Sequence, residues 1–198
     1  MVQTAEGALN EVHDMLQRMN ELAVQAANGT NATEDRNYID AEVQQLKTEI
    51  DRVKSTTTFN GQNLLTGSFN KGLQVGADAN QVININIGSL GTAGLGVSAV
   101  VVSTATKAQS AISSIKSAIT TLNEKRSALG AVQNRLEHTI NNLNNITENT
   151  QSAESAIRDT DMATEMVKYS NGNILAQAGQ AMLAQANQSN QGVLSLLG

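Results

Sequence analysis

The sequence predicts a mostly α-helical protein, an elongated antiparallel bundle of long helices with a small β-hairpin and a C-terminal amphipathic helix. Apolar residues recur at alternating intervals of three and four over long stretches, the pattern of a helix seam. The 198 residues include no proline, the strongest helix breaker. Aromatic residues make up only 2% of the chain, so the core has to be built from aliphatic side chains that suit helix packing.

The first two predicted helices span about residues 4–28 and 33–55. The seam of the first ends at Asn28 and Gly29, a favourable helix stop. The second repeats at intervals of four, three, four and three, and its other sides are charged. The two seams consist of Leu9, Val12, Leu16, Met19, Ala23 and Ala26, and of Ile39, Val43, Leu46, Ile50 and Val53.

The middle of the chain predicts a hairpin over about residues 72–87. Ile83, Ile85 and Ile87 alternate with asparagines, a period of two that is typical of a strand. Four glycines within 88–97 then predict a loop with little order of its own.

The third predicted helix spans about residues 104–158. At a rise of 1.5 Å per residue it would be about 80 Å long. A compact globule of this chain length is only about 40 Å across, so we expect an elongated molecule. Its stripe contains Ala108, Ile112, Ile115, Ile119, Leu122, Leu129, Leu136, Leu143 and Ala153.

The C-terminal segment, 162–198, is distinctive because none of the 30 residues after Lys168 is charged. A solvated helix normally carries charge on its outer side, so this composition predicts burial against other chains. A disordered low-complexity tail is the alternative. The apolar residues are Ile174, Leu175, Ala178, Met182 and Leu183, followed by Val193, Leu194, Leu196 and Leu197.

Composition also argues against several classes of function. The net charge is −5 and Lys and Arg form no dense run, so we expect no nucleic-acid partner. No cysteine is present and no stretch of 18 apolar residues occurs, so we expect neither thiolate metal sites nor a membrane span. The two histidines, His13 and His138, fit no metallopeptidase motif. We therefore predict no enzyme and no cofactor, and a metal-dependent enzyme is the less favoured alternative.

Nine segments spread along almost the whole chain resemble bacterial flagellin, the filament subunit of the flagellum, and look most similar to flagellins of Gram-positive bacteria. They are TAEGALNE (4–11), LQRMNELAVQAAN (16–28), EIDRV (49–53), TFNG (58–61), LGAVQNRLEHTINNL (129–143), IRDTDMA (157–163), ILAQAG (174–179), MLAQAN (182–187) and VLSLL (193–197). The resemblance implies a structural motility protein that is made in the cytoplasm and assembled outside the cell. A hook–filament junction protein is the alternative within the same superfamily.

The resemblance also implies a domain organisation. Residues 4–158 would form the core rod domain and 162–198 the C-terminal inner-core segment. The outer variable domain of the family would be reduced to the loop at 88–97. Because flagellins normally begin well upstream of the first helix found here, we expect this chain to be an N-terminally truncated form.

Three kinds of partner follow from the resemblance. Other flagellin subunits and the flagellin secretion chaperone would contact the apolar residues Ile174, Leu175, Met182, Leu183, Val193, Leu194, Leu196 and Leu197. A vertebrate Toll-like receptor would recognise Gln17, Arg18, Leu22, Gln25, Glu42 and Arg135. Arg18 and Leu22 are four residues apart, which places them on one side of a helix. An ordinary surface and seam role is the alternative for these receptor residues.

Overall fold

The computed structural model describes the backbone of residues 1–197, and the side chains of 190, 191 and 193–197 lie outside the described part. It confirms a mostly α-helical chain with long helices and a small antiparallel hairpin. The chain divides into two compact units, Met1–Leu143 and Asn144–Gly198. The elements in order are α1 (Val2–Ala27), α2 (Thr33–Thr56), β1 (Thr58–Phe59), β2 (Gln62–Asn63), β3 (Thr66–Gln74), β4 (Val82–Ser89), α3 (Ala105–Arg158) and α4 (Met162–Leu197).

In the first unit, α1 and α2 form an antiparallel pair joined by a short turn. Arg36 of α2 closes this turn, because its Nε donates to the Ala26 carbonyl at 2.9 Å and a second guanidinium nitrogen donates to the Asn28 carbonyl at 3.0 Å. These carbonyls belong to the end of α1, where intrahelical donors are lacking. The buried stripe of α1 is Val2, Ala5, Leu9, Val12, Leu16, Met19, Leu22, Ala23 and Ala26, and that of α2 is Ile39, Val43 and Ile50.

The hairpin is longer than the sequence predicts, because β3 begins at Thr66 instead of residue 72. A register irregularity between Thr66 and Phe69 interrupts the alternation that would have revealed the strand. Gly67 lies there at a φ of +90°, and a Cβ at this position would approach the Ser89 backbone nitrogen to 2.9 Å. The predicted inward face of β4, with Ile85 fully buried, is confirmed.

The segment after the hairpin corrects a prediction. Gly88 and Ser89 belong to β4, and the rest of 88–97 packs into the core. The Asp51 carboxylate of α2 accepts hydrogen bonds from the Thr92 backbone nitrogen at 3.0 Å and from its hydroxyl at 2.7 Å. The expectation of little order is therefore wrong. The buried residues of this segment and its continuation to α3 are Leu90, Gly91, Thr92, Leu95, Val97, Val100 and Val102.

Within the first unit, the buried stripe of α3 completes the hydrophobic core. One hydrophobic cluster joins the stripes of α1, α2 and α3 with the hairpin and the segment that follows it. Of the predicted stripe, Ile112 and Ile119 are half-buried, and the buried positions end at Leu129. The buried residues of α3 are Ala108, Ala111, Ile115, Ala118, Leu122 and Leu129.

The second unit holds the end of α3 and all of α4. Its described residues are exposed throughout, including Ala153, which the sequence places on the buried stripe. Residues 159–161 separate the end of α3 from the start of α4. Asp161 caps α4, because its Oδ1 accepts from the backbone nitrogens of Ala163 at 2.9 Å and Thr164 at 3.2 Å. No helix in the described part of the chain is both long and apolar enough to cross a bilayer.

Candidate interaction surfaces

The first candidate surface is the apolar side of α4. Ile174, Leu175, Met182 and Leu183 are 60%, 72%, 73% and 66% exposed. Ile174 and Met182 are eight residues apart with Ala178 between them, so all three lie on one side of the helix. We name the four large residues the α4 apolar surface. Groups of exposed aliphatic side chains are typical of contact sites for other chains, so this surface is a candidate for such a contact.

Further exposed apolar side chains lie near the start of α4. Met162, Met166, Val167 and Tyr169 are all more than half exposed, and none of them belongs to the predicted contact residues. Val167 is seven residues before Ile174 and lies on the same side of the helix, whereas Met162, Met166 and Tyr169 lie on another side. The second predicted cluster, Val193, Leu194, Leu196 and Leu197, lies outside the described side chains.

Hydrogen bonds and the helix dipole stabilise an ionised carboxylate at the start of α4. The hydrogen bonds from Thr164 and Ala163 hold the pKa of the Asp161 carboxyl below its usual range, and the backbone bond from Thr164 is the largest cause. An ionised carboxylate at this position also complements the helix dipole. Asp159 accepts a hydrogen bond from the Ser155 hydroxyl, at the end of α3. The two aspartates therefore serve the helix restart.

The second candidate surface lies on α1 and α2, where the structure brings Arg18 and Glu42 together. Arg18 donates from Nε at 2.9 Å and from a terminal nitrogen at 2.8 Å, both to Glu42 Oε1. Its other terminal nitrogen donates to Glu21 at 3.3 Å. These bonds, with that to Glu42 first, raise the pKa of the Arg18 guanidinium above its ordinary value. Gln17 and Gln25 are also exposed on α1.

Two of the predicted receptor residues stand apart from this group. Leu22 is only 2% exposed and packs in the core, because the buried stripe of α1 is wide enough to include both Leu22 and Ala23. Its side chain is therefore not available on the surface as the sequence analysis expected. Arg135 is exposed on α3. Among the described residues no hydrogen bond or ion pair links Arg135 to Arg18 or Glu42.

The histidines do not form part of a recognisable site. His13 Nε2 lies 2.8 Å from Gln17 Nε2, one turn along α1. In the described part of the chain, no three His, Cys, Asp or Glu side chains are grouped so that they could hold a metal ion. The surfaces that the structure does present are long helix faces suited to protein partners.

Comparison with known proteins identifies the family. A family model described as the bacterial flagellin N-terminal helical region matches residues 1–70, and one described as the C-terminal helical region matches residues 112–197. The chain belongs to the bacterial flagellin family. The two matches contain α1, α2, most of α3 and α4, so the candidate surfaces on these helices all lie in flagellin-like sequence.

Individual relatives agree with the family models. The flagellin of Halalkalibacterium halodurans is 51% identical over 200 residues, which cover the whole of this chain and 74% of that protein. The flagellar filament 33 kDa core protein of Treponema phagedenis is 46% identical over 213 residues, which cover 99% of this chain and 74% of that protein. The crystal structure of Bacillus cereus flagellin superposes with a TM-score of 0.63 at 29% identity and covers 85% of this chain and 89% of that one.

Family membership sets the general role. Flagellins are structural proteins whose subunits assemble with one another into the extracellular filament of the flagellum. The predictions of a bacterial flagellin and of a structural motility protein are therefore confirmed. The individual contact residues stay predictions.

Proposed function

We propose that this flagellin uses the α4 apolar surface for two successive contacts, first with the flagellin secretion chaperone and then with neighbouring subunits of the filament. The observation that carries the proposal is the exposure of Ile174, Leu175, Met182 and Leu183 on a helix without charged neighbours. Burying one such side chain contributes about 1.5–3 kcal/mol. A partner that covers all four would therefore gain enough free energy to hold an otherwise unsupported helix.

The two contacts are mutually exclusive because they would use the same side chains. A subunit whose α4 is covered by a chaperone cannot pack that surface against another subunit. Helices that lack tertiary contacts are marginal in water, so the chaperone would also keep α4 folded until assembly. This order of contacts accounts for a helix without charge after Lys168 in a protein that has to stay unassembled before export.

Chaperone binding is tested by charge insertion in α4. We expect Met182→Asp with Leu183→Asp to weaken binding to the purified flagellin chaperone by at least about 100-fold in titration calorimetry, because charged groups are costly to bury without a partner. Asn173→Asp is the matched control, since residue 173 is exposed, lies on the opposite side of α4 from Met182 and is not three or four residues from any member of the α4 apolar surface. Equal binding by the double variant and the control would reject the proposal.

A second candidate function is recognition by the flagellin-sensing Toll-like receptor. The observation that favours it is the exposed Arg18–Glu42 pair, joined by two hydrogen bonds and flanked by Gln17 and Gln25. Arginines held in a fixed geometry are frequent anchors at protein interfaces. The receptor would meet a charged patch on the exposed sides of α1 and α2.

Receptor recognition is tested in a cell reporter assay. We expect Arg18→Ala to lower the response by at least about tenfold, the scale of an interface anchor. Arg52→Ala is the matched control, because Arg52 forms a similar exposed ion pair with Glu49 elsewhere on α2. No response to the unaltered chain, or an equal loss in both variants, would exclude this role.

A further inference from the structure

Asparagine is followed by glycine at three places in the chain, and the structure holds these places with different firmness. Asn28–Gly29 and Asn60–Gly61 lie in the first unit, whereas Asn171–Gly172 lies within α4. At such a pair the backbone nitrogen of the glycine can attack the side-chain amide of the asparagine, because no Cβ shields the approach. The three pairs can therefore be compared as sites of one spontaneous reaction, the deamidation of asparagine.

The two pairs in the first unit are held by hydrogen bonds and by strand pairing. The Asn28 side-chain oxygen accepts from the Thr30 backbone nitrogen at 3.3 Å, and the Asn28 carbonyl accepts from Arg36 at 3.0 Å. Asn60 and Gly61 form the two-residue turn between β1 and β2, with φ values of +50° and +72°. The attack requires a change of backbone conformation, and these contacts oppose such a change.

The third pair lies in the part of α4 that is least suited to a helix. Residues 170–173 are Ser, Asn, Gly and Asn, which favour caps and turns over helix interiors. All four are exposed, and within the described part of the chain the Asn171 side chain makes no hydrogen bond. The described residues of the second unit are exposed throughout, so tertiary packing does not support this helix. Opening at Asn171 should therefore cost less free energy than opening at Asn28 or Asn60.

We propose that Asn171 is a site of spontaneous deamidation. The Gly172 backbone nitrogen forms a bond to the Asn171 side-chain carbon, and the amide nitrogen leaves as ammonia with the proton that the backbone nitrogen loses. Water then opens the resulting succinimide ring at one of its two carbonyls. The product is a free carboxyl group, present either as aspartate or as isoaspartate. The reaction consumes only water, so no further reactant has to be bound.

The product would carry its charge on the side of α4 that holds most of the α4 apolar surface. Residue 171 is three residues before Ile174 and four before Leu175, and Met182 lies on the same side. A carboxyl group is ionised above about pH 4, so a charge would appear there at neutral pH. A partner that covers Leu175 would have to bury this charge, which is unfavourable without a counter-charge. This loss of partner binding rests on the proposed function, whereas the deamidation itself does not.

The test follows all three pairs in one sample of the full chain. Trypsin releases residues 19–36, 55–71 and 169–198 as separate peptides, each with one Asn–Gly pair. After incubation at mildly alkaline pH, fragment mass spectra locate each new acid, and isoaspartyl methyltransferase detects isoaspartate. We expect residue 171 to convert at least about tenfold faster than residues 28 and 60 in the folded chain. In concentrated urea the three residues should convert at similar rates, because the structural differences are then removed.

Two glycine substitutions separate the attack from the stability of α4. Gly172→Ala keeps Asn171 and adds a Cβ that meets no atom within 4 Å, so it hinders the attack without a clash. Gly179→Ala also meets no atom within 4 Å and is the matched control, because it raises helix propensity equally and leaves the reacting pair unchanged. We expect Gly172→Ala to slow the conversion of residue 171 by at least about tenfold and Gly179→Ala by less than about threefold.

The outcomes separate this inference from the proposed function. Conversion of residue 171 that is no faster than that of residues 28 and 60 would overturn the inference, as would equal slowing by the two glycine variants. Chaperone binding is measured separately with Asn171→Asp, which imitates the product, and with Asn173→Asp, which adds the same charge on the opposite side of α4. We expect the first to bind at least about tenfold more weakly than the second. Equal binding would count against the α4 apolar surface as the contact and leave the measured deamidation standing.

Discussion

Removing the Asp51 carboxylate should release the segment between the hairpin and α3. Asp51 is the only described acceptor for both the backbone nitrogen and the hydroxyl of Thr92, at 3.0 and 2.7 Å. Thr92 itself is only 6% exposed, so water has little access to the groups that would lose their partner. Asp51→Ala therefore leaves two polar groups unpaired in a largely buried position.

The expected loss in the free energy of unfolding can be estimated from those two hydrogen bonds. A buried donor that loses its acceptor costs about 1–3 kcal/mol, and bonds to a charged group lie at the upper end. Allowing for the exposed outer side of Asp51, we expect Asp51→Ala to lower the free energy of unfolding by about 2–3 kcal/mol. Thr92→Val removes the hydroxyl, so the two substitutions together should cost less than their sum.

Urea unfolding measures the loss, and amide hydrogen exchange locates it. Exchange should accelerate at Thr92 and at Val97, whose backbone nitrogen donates to the Thr92 carbonyl. Asp14→Ala is the matched control, since Asp14 is exposed without a described side-chain partner and should change stability by less than about 0.5 kcal/mol. Equal effects of the Asp51 and Asp14 variants would refute the argument that this carboxylate fixes the segment.

Three further predictions test other parts of the fold. Leu16→Ala should cost about 2–5 kcal/mol in urea unfolding, because Leu16 is fully buried, whereas Leu175→Ala should leave stability almost unchanged; equal losses would contradict the assigned core. Gly67→Ala should destabilise the hairpin, seen as faster exchange of β4 amides, because its φ is +90° and its Cβ would meet Ser89. Asp161 has a lowered pKa in the folded chain, so the ionised cap stabilises α4 above the ordinary carboxyl range and this contribution is lost as the pH falls below about 4. Helix content measured from about pH 6 to pH 2 should fall less in Asp161→Asn, which keeps a capping oxygen without titrating.

The helices were predictable because their apolar period is long, and in α3 it continues beyond the single interruption at Arg126. The structure places α1, α2 and α3 within two residues of the predicted bounds. The hairpin start was not predictable, since the irregularity between Thr66 and Phe69 removes the alternation that marks a strand. The order of the segment at 90–102 depends on Asp51 and Asp40, residues 41 and 62 positions away from the groups that they bind. Local sequence carries no signal for such contacts.

Of the candidate surfaces, too, some parts could be predicted from the sequence and others could not. The helix and the exposed aliphatic residues of the α4 apolar surface could be predicted because these residues recur at helical spacing in a segment without charge. The Arg18–Glu42 pair depends on the register between α1 and α2, which the turn and Arg36 determine. Leu22 was misplaced because a single residue decides whether a helical stripe is narrow or wide, and the neighbouring Ala23 leaves room for Leu22 to enter the core.

The lack of charge on α4 has a practical consequence for handling the protein. From Ser170 to Leu197 no side chain titrates, so contacts made by this part of the helix should be indifferent to pH. Salts such as sulfate, which strengthen apolar burial, should promote these contacts. The same salts screen the charges on the helices of the first unit. Salting out and charge screening would therefore act in opposite directions on a contact made through α4 and on a contact made through the charged sides of the first unit.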